Sequence, residues 1–263
     1  MKNLNIIYAL ATCLLMYSCG TTDAEAPTFC SADGDVAIVD EVEAMAGETL
    51  SLVQTVCDND ALGTANWDLH SAEGHAHEGE EEEEFTLFSG SWDYDFPDDL
   101  TGTTATSGIM TEIPNDVRGV WDIVISLVDA EGNIATDVVT PLHIENEIIP
   151  LFELLDVNGV DPATWTGEQT WEAGPMEIKV RLTAFNDGVI TEWHLELEPE
   201  DAPEGTAPLA EFEGDATDLD AGGEFTWNFT IPEDASTGEY HLHMEAKDSN
   251  QEEMETGFHV EIE

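Results

Sequence analysis

Three histidines, His70, His75 and His77, fall within eight residues, and Glu78 and the run Glu80–Glu84 follow at once. Imidazole is the commonest side-chain metal ligand and titrates near physiological pH. Carboxylates beside it add hard oxygen donors and negative potential. His70, His75, His77 and Glu78 are therefore candidate ligands for a transition-metal ion. The same residues also describe a solvated loop, because a glutamate run repels itself and stays extended in water.

Composition narrows the partners. The 263 residues carry 59 Asp+Glu against 5 Lys+Arg, a formal charge of −54. Such a chain does not bind nucleic acid by neutralising phosphates. An anionic lipid surface repels it, so any membrane attachment is covalent. It concentrates cations around itself, although solubility in a salty medium explains the charge as a whole more simply. With 41% hydrophobic residues a packed core is available, and the length suits two domains.

Lys2 followed by the apolar run Leu4–Met16, too short to span a bilayer, reads as a signal peptide. Ser18-Cys19-Gly20 then resembles the lipobox of Gram-negative bacterial lipoproteins. The resemblance implies removal of residues 1–18, lipidation of Cys19 (palmitate among the acyl groups) and anchoring at the outer membrane of the cell envelope. Residues 19–34 follow as lipidated cysteine and flexible tether. Cys13 leaves with the leader, so Cys30 and Cys57 remain as an even pair in an oxidising compartment, and a disulfide between them is expected.

From Asp35 onward no helical periodicity stands out. Short alternating runs rich in β-branched and aromatic residues recur between Gly, Pro, Asn and Asp. In the first half they are Val36–Glu43, Leu50–Val56, Asn66–His70, Phe85–Trp92, Thr103–Ile113, Trp121–Val128 and Ile134–Glu145. In the second they are Leu151–Val157, Met176–Phe185, Val189–Leu197, Leu209–Phe212, Glu224–Ile231, Tyr240–Lys247 and Met254–Ile262. The halves match each other: Trp67-Asp68-Leu69-His70 with Trp193-His194-Leu195-Glu196, Trp121…Asp129 with Tyr240…Asp248, and Leu142-His143 with Phe258-His259. The expected fold class is all-β: two tandem immunoglobulin-like β-sandwich domains, residues 35–147 and 148–263, after the lipoprotein signal peptide.

Asp58-Asn59-Asp60, Leu69-His70, Gly74-His75-Ala76-His77 and the Asp129…Gly132-Asn133 turn resemble a family of Gram-negative surface or periplasmic lipoproteins of unknown function. Its Ig-like domains carry a strand-end His followed by a Gly-His-x-His loop. The resemblance implies fold and location, and no activity.

Strand alternation assigns the other histidines. If Trp193, Leu195 and Leu197 face the core, His194 and Glu196 face out; likewise His241 and His243 opposite Tyr240, Leu242 and Met244, and His259 opposite Phe258 and Val260. In an Ig-like sandwich these three strands share a sheet, the sixth in the middle. All eight histidines then fall on one sheet's outer face or on the loop leaving it. His194, His241 and His243 form a second candidate ligand set. Mixed imidazole and carboxylate donors suit Zn or Cu, or another transition metal, better than calcium. Calcium in the acidic turns Asp93/Asp95, Asp98/Asp99 and Asp129/Glu131/Asn133 is the lesser reading, since none has ordered EF-hand spacing.

No phosphate loop, nucleophile elbow or His-Glu-x-x-His motif occurs, so no enzyme is expected. Two functions compete. One is an envelope lipoprotein that binds a transition metal through its exposed His cluster, with outer-membrane transport or surface proteins as partners. The other is a structural or adhesive module contacting protein or glycan, which grouping of Trp92, Tyr94, Trp165 or Trp171 on the surface would favour.

Overall fold

The computed structural model describes residues 23–72, 87–165, 169–200, 203 and 206–263. His75, His77, Glu78, the Glu80–Glu84 run, Cys19 and the leader lie outside the described residues.

Among the described residues, sixteen strands form four sheets, and one 3₁₀ turn lies outside them. In the first sandwich β1 (Thr28–Phe29), β3 (Thr49–Cys57) and β6 (Thr104–Glu112) form one sheet in the order β1-β3-β6. The other sheet runs β2-β8-β7-β4-β5, from β2 (Val42–Met45), β4 (Leu62–Ser71), β5 (Tyr94–Asp99), β7 (Gly119–Asp129) and β8 (Val138–Glu145). The second sandwich repeats the plan. Strands β9 (Leu151–Val157), β11 (Gly174–Thr183) and β14 (Glu224–Ile231) form the small sheet. Strands β10 (Gln169–Trp171), β12 (Ile190–Pro199), β13 (Ala210–Asp215), β15 (Gly238–Asp248) and β16 (Glu253–Ile262) form the large one, ordered β10-β16-β15-β12-β13.

All pairings are antiparallel except the two edge strands β2 and β10, each parallel to the last strand of its sandwich. This layout is immunoglobulin-like, and the Tyr240 hydroxyl adds a tyrosine corner by donating to the Ser236 carbonyl at 2.9 Å. Leu52, Trp67, Trp121, Ile123 and Leu142 anchor the first core, and Ile178, Leu195, Leu197, Leu242 and Val260 the second.

Several boundaries differ from the sequence reading, each for a local reason. Strand β5 carries Pro97 and three aspartates, and it forms all the same because it is a sheet edge, where a missing N–H faces solvent. The expected Phe85–Trp92 strand leaves, among described residues, only an isolated bridge from Ser89 to Arg118. Residues 37–40 bend rather than extend, crossing from the β3 sheet, where Val36 donates to Val53, to the β8 sheet, where Thr140 donates to Ala37.

The described part of the expected tether, from Asp23, is not free. Thr28 and Phe29 pair with Cys57 and Val56, Pro27 is buried, and Cys30 is disulfide-bonded to Cys57. A polar, Pro-containing segment read as a linker is held by the bridge and by Phe29 packing on the core.

The repeat is real but its register is not the one the tryptophans suggest. Leu62 pairs with Asp129 and Ile190 with Asp248, and the same bulge follows each. From those anchors Trp67 lies opposite Ile125, four residues before Asp129, whereas Trp193 lies opposite Ala246, two before Asp248. Both indoles still point inward because a shift of two preserves alternation. His143 and His259 are likewise two positions out of step: Trp121 pairs with Leu142 and Tyr240 with Val260.

The two sandwiches meet at Arg118. Its guanidinium donates to the carbonyls of Asn146, Ile149 (3.1 Å) and Pro150 (2.7 Å) in the connection and sits 5.8 Å from the Phe185 ring centre. Burial lowers its pKa to about 10, so it remains charged at neutral pH.

Candidate functional site

The outer face of the β10-β16-β15-β12-β13 sheet carries the histidines, as alternation requires. On β12 the pattern buries Trp193, Leu195 and Leu197 and leaves His194 and Glu196 half-buried; on β15 it buries Tyr240, Leu242 and Met244 and leaves His241 and His243 half-buried. His259 on β16 is exposed. Cross-strand register sets Glu196 opposite His243, Glu198 opposite His241 and His241 opposite His259.

Donor atoms of His194, Glu196 and His243 lie within 4.8 Å of one another. Bonds of about 2.1 Å in a tetrahedral site put ligand atoms ~3.4 Å apart, so a small side-chain rotation closes the set on an ion. The His194 and His243 ring centres are 6.5 Å apart. Carboxylates surround the pair: His194 Nε2 is 3.2 Å from Glu211 Oε1, and His243 Nε2 is 3.0 Å from Glu255 Oε1. The latter contact lacks hydrogen-bond geometry, and His243 Nε2 is shut off from solvent with no hydrogen-bond partner.

His241 is not part of this convergent set. Its ring turns toward His259, centres 5.0 Å apart, and lies over Gly257. A Cβ on residue 257 would come within 2.5 Å of His241 Nε2, so glycine opens the notch in which that ring lies. Burial holds the His241 pKa below the usual imidazole value; the neighbouring His259 and His243 push the same way, against Glu200 and Glu198. His241, His243 and Glu255 line a shallow cleft of about 450 Å³ whose other wall is Phe88, Gly90, Ser91 and Asp116 of the first sandwich.

In the first sandwich His70 occupies its predicted outer-face position at the end of β4, 3.2 Å from Asp68 and 4.0 Å from Asp122. His143 is 3.5 Å from Glu41. Neither belongs to a convergent metal set among the described residues. Register explains this: the positions matching His194, Glu196 and His243 are Asn66, Asp68 and Val124.

A second cluster was only partly legible. The Asp129/Glu131 turn meets Asp23 and the Asp58/Asp60 turn, which come from two other, distant stretches of the chain. Donor oxygens of Asp23, Asp58 and Asp129 lie within 4.8 Å of one another, as do those of Asp23, Asp60 and Glu131. Burial pushes the Asp129 pKa up, but hydrogen bonds from the Asn133 side chain and backbone and from the Gly132 and Glu131 backbones outweigh it, and the net shift is downward. Glu131 is raised, by desolvation and by the charges of Asp60, Asp129, Asp23 and Asp58. Asp93, Asp95, Asp98 and Asp99 form no such set among the described residues.

The predicted disulfide is present, with Cys30 and Cys57 Cα atoms 5.8 Å apart. Trp92, Trp165 and Trp171 are buried in the two cores, and Tyr94 is half-buried beside Phe96, so these aromatics do not group on the surface.

Residues 17–144 match the model of a family described as a domain of unknown function, DUF4625. The match spans the first sandwich and just under half of the chain. A comparison with curated proteins finds no match. Among solved structures, fibronectin(III)-like modules of Clostridium thermocellum CbhA are 14% identical over 90% of this chain and 92% of that chain, TM-score 0.26. A DUF3823 family protein from Bacteroides ovatus ATCC 8483 is 9% identical over 82% and 98%, TM-score 0.30. The sialic acid binding region of a Streptococcus Sanguinis SK1 adhesin is 12% identical over 92% and 78%, TM-score 0.30. Likeness at this level says nothing of ligand or activity.

Proposed function

We propose that the protein is a non-enzymatic envelope lipoprotein, anchored through Cys19, whose second Ig-like sandwich binds a transition-metal ion through His194, Glu196 and His243. The observation that carries the reading is the convergence of two imidazoles and a carboxylate within 4.8 Å on a half-buried sheet face. The half-buried position of both imidazoles supports it, since it limits competition from water for the donor set. Two nitrogens and one oxygen suit Zn or Cu, with a fourth position left for water, a partner's side chain or Glu211. His70, with His75, His77 and Glu78, is a separate candidate set on the first sandwich. An outer-membrane protein that receives or delivers the ion is the corresponding partner.

Calorimetric titration of Zn(II) and Cu(II) into the protein tests this. One saturable site is expected, weakened more than about 100-fold in His194→Ala with His243→Ala, because even outer-shell partners are worth 10–100-fold. Replacing His70, His75 and His77 by Ala reports separately on the loop set. Equal weak binding by all variants would reduce the effect to cation condensation on an acidic surface and leave the sheet as a contact module.

A further inference from the structure

The small sheet of the first sandwich ends in a bare edge. We propose that β6 pairs with β6 of a second copy of this chain, antiparallel about a two-fold axis at Gly108, so that two small sheets join in the order β1-β3-β6-β6-β3-β1.

Among the described residues β6 pairs only with β3, which leaves its other side open. The direction of its backbone groups follows from β3. The Val53 carbonyl accepts from Val36 and the Thr55 carbonyl from Cys30, both on the side away from β6. Successive residues of an antiparallel strand turn their N–H and C=O groups to alternate sides. Leu50, Leu52, Gln54 and Val56 therefore bond Thr111, Ile109, Ser107 and Ala105. The N–H and C=O groups of Thr104, Thr106, Gly108, Met110 and Glu112 point to the open edge. These are also the accessible residues: Gly108 is half-buried and the other four are exposed. Met110, at 73%, is the most exposed large apolar side chain among the described residues.

Residues 100–111 contain no Asp, Glu, Lys, Arg or His, in a chain of formal charge −54. The other edges are defended by charge, proline or shortness. Strand β5 has Pro97 with Asp95, Asp98 and Asp99; β13 has Glu211, Glu213 and Asp215; β9 has Glu153 and Asp156. Strands β1, β2 and β10 run for only two, four and three residues. The counterpart of β6 is β14, matched by Ile113-Pro114 and Ile231-Pro232. There Glu224 stands for Thr106 and is ion-paired with Lys179 and Arg181. Asn228 stands for Met110, and its Nδ2 donates at 3.5 Å to the edge-facing carbonyl of Thr226, which stands for Gly108.

The bare edge is complementary to itself. A two-fold axis at Gly108 sets that glycine opposite its own copy, Thr106 opposite the partner's Met110 and Thr104 opposite the partner's Glu112. Every one of these residues faces the edge, so each pair exchanges both N–H···O=C bonds. No carboxylate meets a carboxylate across the strands. Two strongly acidic bodies repel least where they touch through a neutral strand, and an identical patch on each side of a two-fold closes the assembly as a dimer.

The test is sedimentation equilibrium of the chain from Gly20 onward, which keeps every described residue, at about 0.1 and 1 M NaCl. A dimer is expected, tighter in high salt because the repulsion between the acidic bodies is screened. Thr106→Glu with Met110→Glu sets glutamates opposite glutamates and should raise Kd roughly tenfold or more. Thr106→Lys with Met110→Glu sets opposite charges across the same pairs and should restore the dimer, most strongly at low salt. Thr226→Glu on β14 should leave it unchanged. All the substituted positions are exposed, and circular dichroism checks that each variant keeps the β fold. A monomer in both salts at roughly 100 µM would overturn the proposal. So would a dimer that ignores the paired glutamates, or one that Thr226→Glu dissociates. Failure of the Lys and Glu combination to restore association would overturn the register at Gly108. The histidine face is untouched in every variant, so the zinc and copper titrations are read independently.

Discussion

The two sandwiches share strand order, a parallel edge strand, a bulge after Leu62 or Ile190, and an aspartate that closes the turn after the seventh strand of the sandwich, β7 or β15. They part at two register-equivalent places. On the large sheet the first has Asn66, Asp68 and Val124 where the second has His194, Glu196 and His243. At the turn the first gathers five acids, while the second folds Asp248 onto its own backbone. Imidazoles thus converge on one copy and carboxylates on the other. One β framework supplies addresses, and the side chains at a few of them decide which donors gather there.

That contrast can be broken in graded steps. The largest effect is expected from the disulfide, which exists only in the first sandwich. Changing Cys30 and Cys57 to Ser should cost the first sandwich roughly 3–4 kcal/mol by the loop-entropy estimate and spare the second; urea unfolding followed by hydrogen exchange in each half separates the two. Next, Asp248→Ala should lower stability by about 2–3 kcal/mol, because it removes a fully buried side chain and the acceptor of the Asn250 and Glu252 N–H groups. Asp129→Ala should cost less than that, since removing one of five mutually repelling charges offsets the lost hydrogen bonds. An equal loss in the two variants would erase the distinction between the turns.

Smaller effects sharpen the sheet-face comparison. Gly257→Val should cost about 1–3 kcal/mol, because its Cβ meets the Leu242 carbonyl at 2.6 Å as well as the His241 ring; chemical denaturation measures it. Asn66→His with Val124→His transplants the ligand trio around Asp68. Zinc stoichiometry by calorimetry should rise by one, with stability changed by less than about 1 kcal/mol at these half-exposed positions. The weakest signal concerns acid. Lys179 and Arg181 hold the Glu224 carboxyl below its ordinary range through hydrogen bonds. A depressed carboxylate stabilises the fold above its unfolded pKa and loses that contribution as pH falls through the folded value. Glu224→Gln should therefore flatten the acid limb of the stability curve for the second sandwich, measured by unfolding between pH 7 and pH 3.

The alternating runs were enough to give the class, the repeat and the outward direction of His70, His194, His241, His243 and His259, because side-chain alternation is local and has a period of two. Cysteine counting gave the Cys30–Cys57 bridge. The same pattern could not fix the register between strands, which is why the paired tryptophans misaligned the copies by two residues. It could not see β5 either, since an edge strand needs little hydrophobicity.

Strand, face, disulfide and charge depend on neighbours along the chain, and they are readable from it. Which donors meet depends on how the strands are assembled. Glu196 takes the place expected of His241 because His241 leans into the gap at Gly257, and Asp23 joins Asp58 and Asp129 because β1 folds back beside β3. A ligand set is a distance condition across strands, and cross-strand register, bulges and rotamers set that distance only when the sheet is assembled.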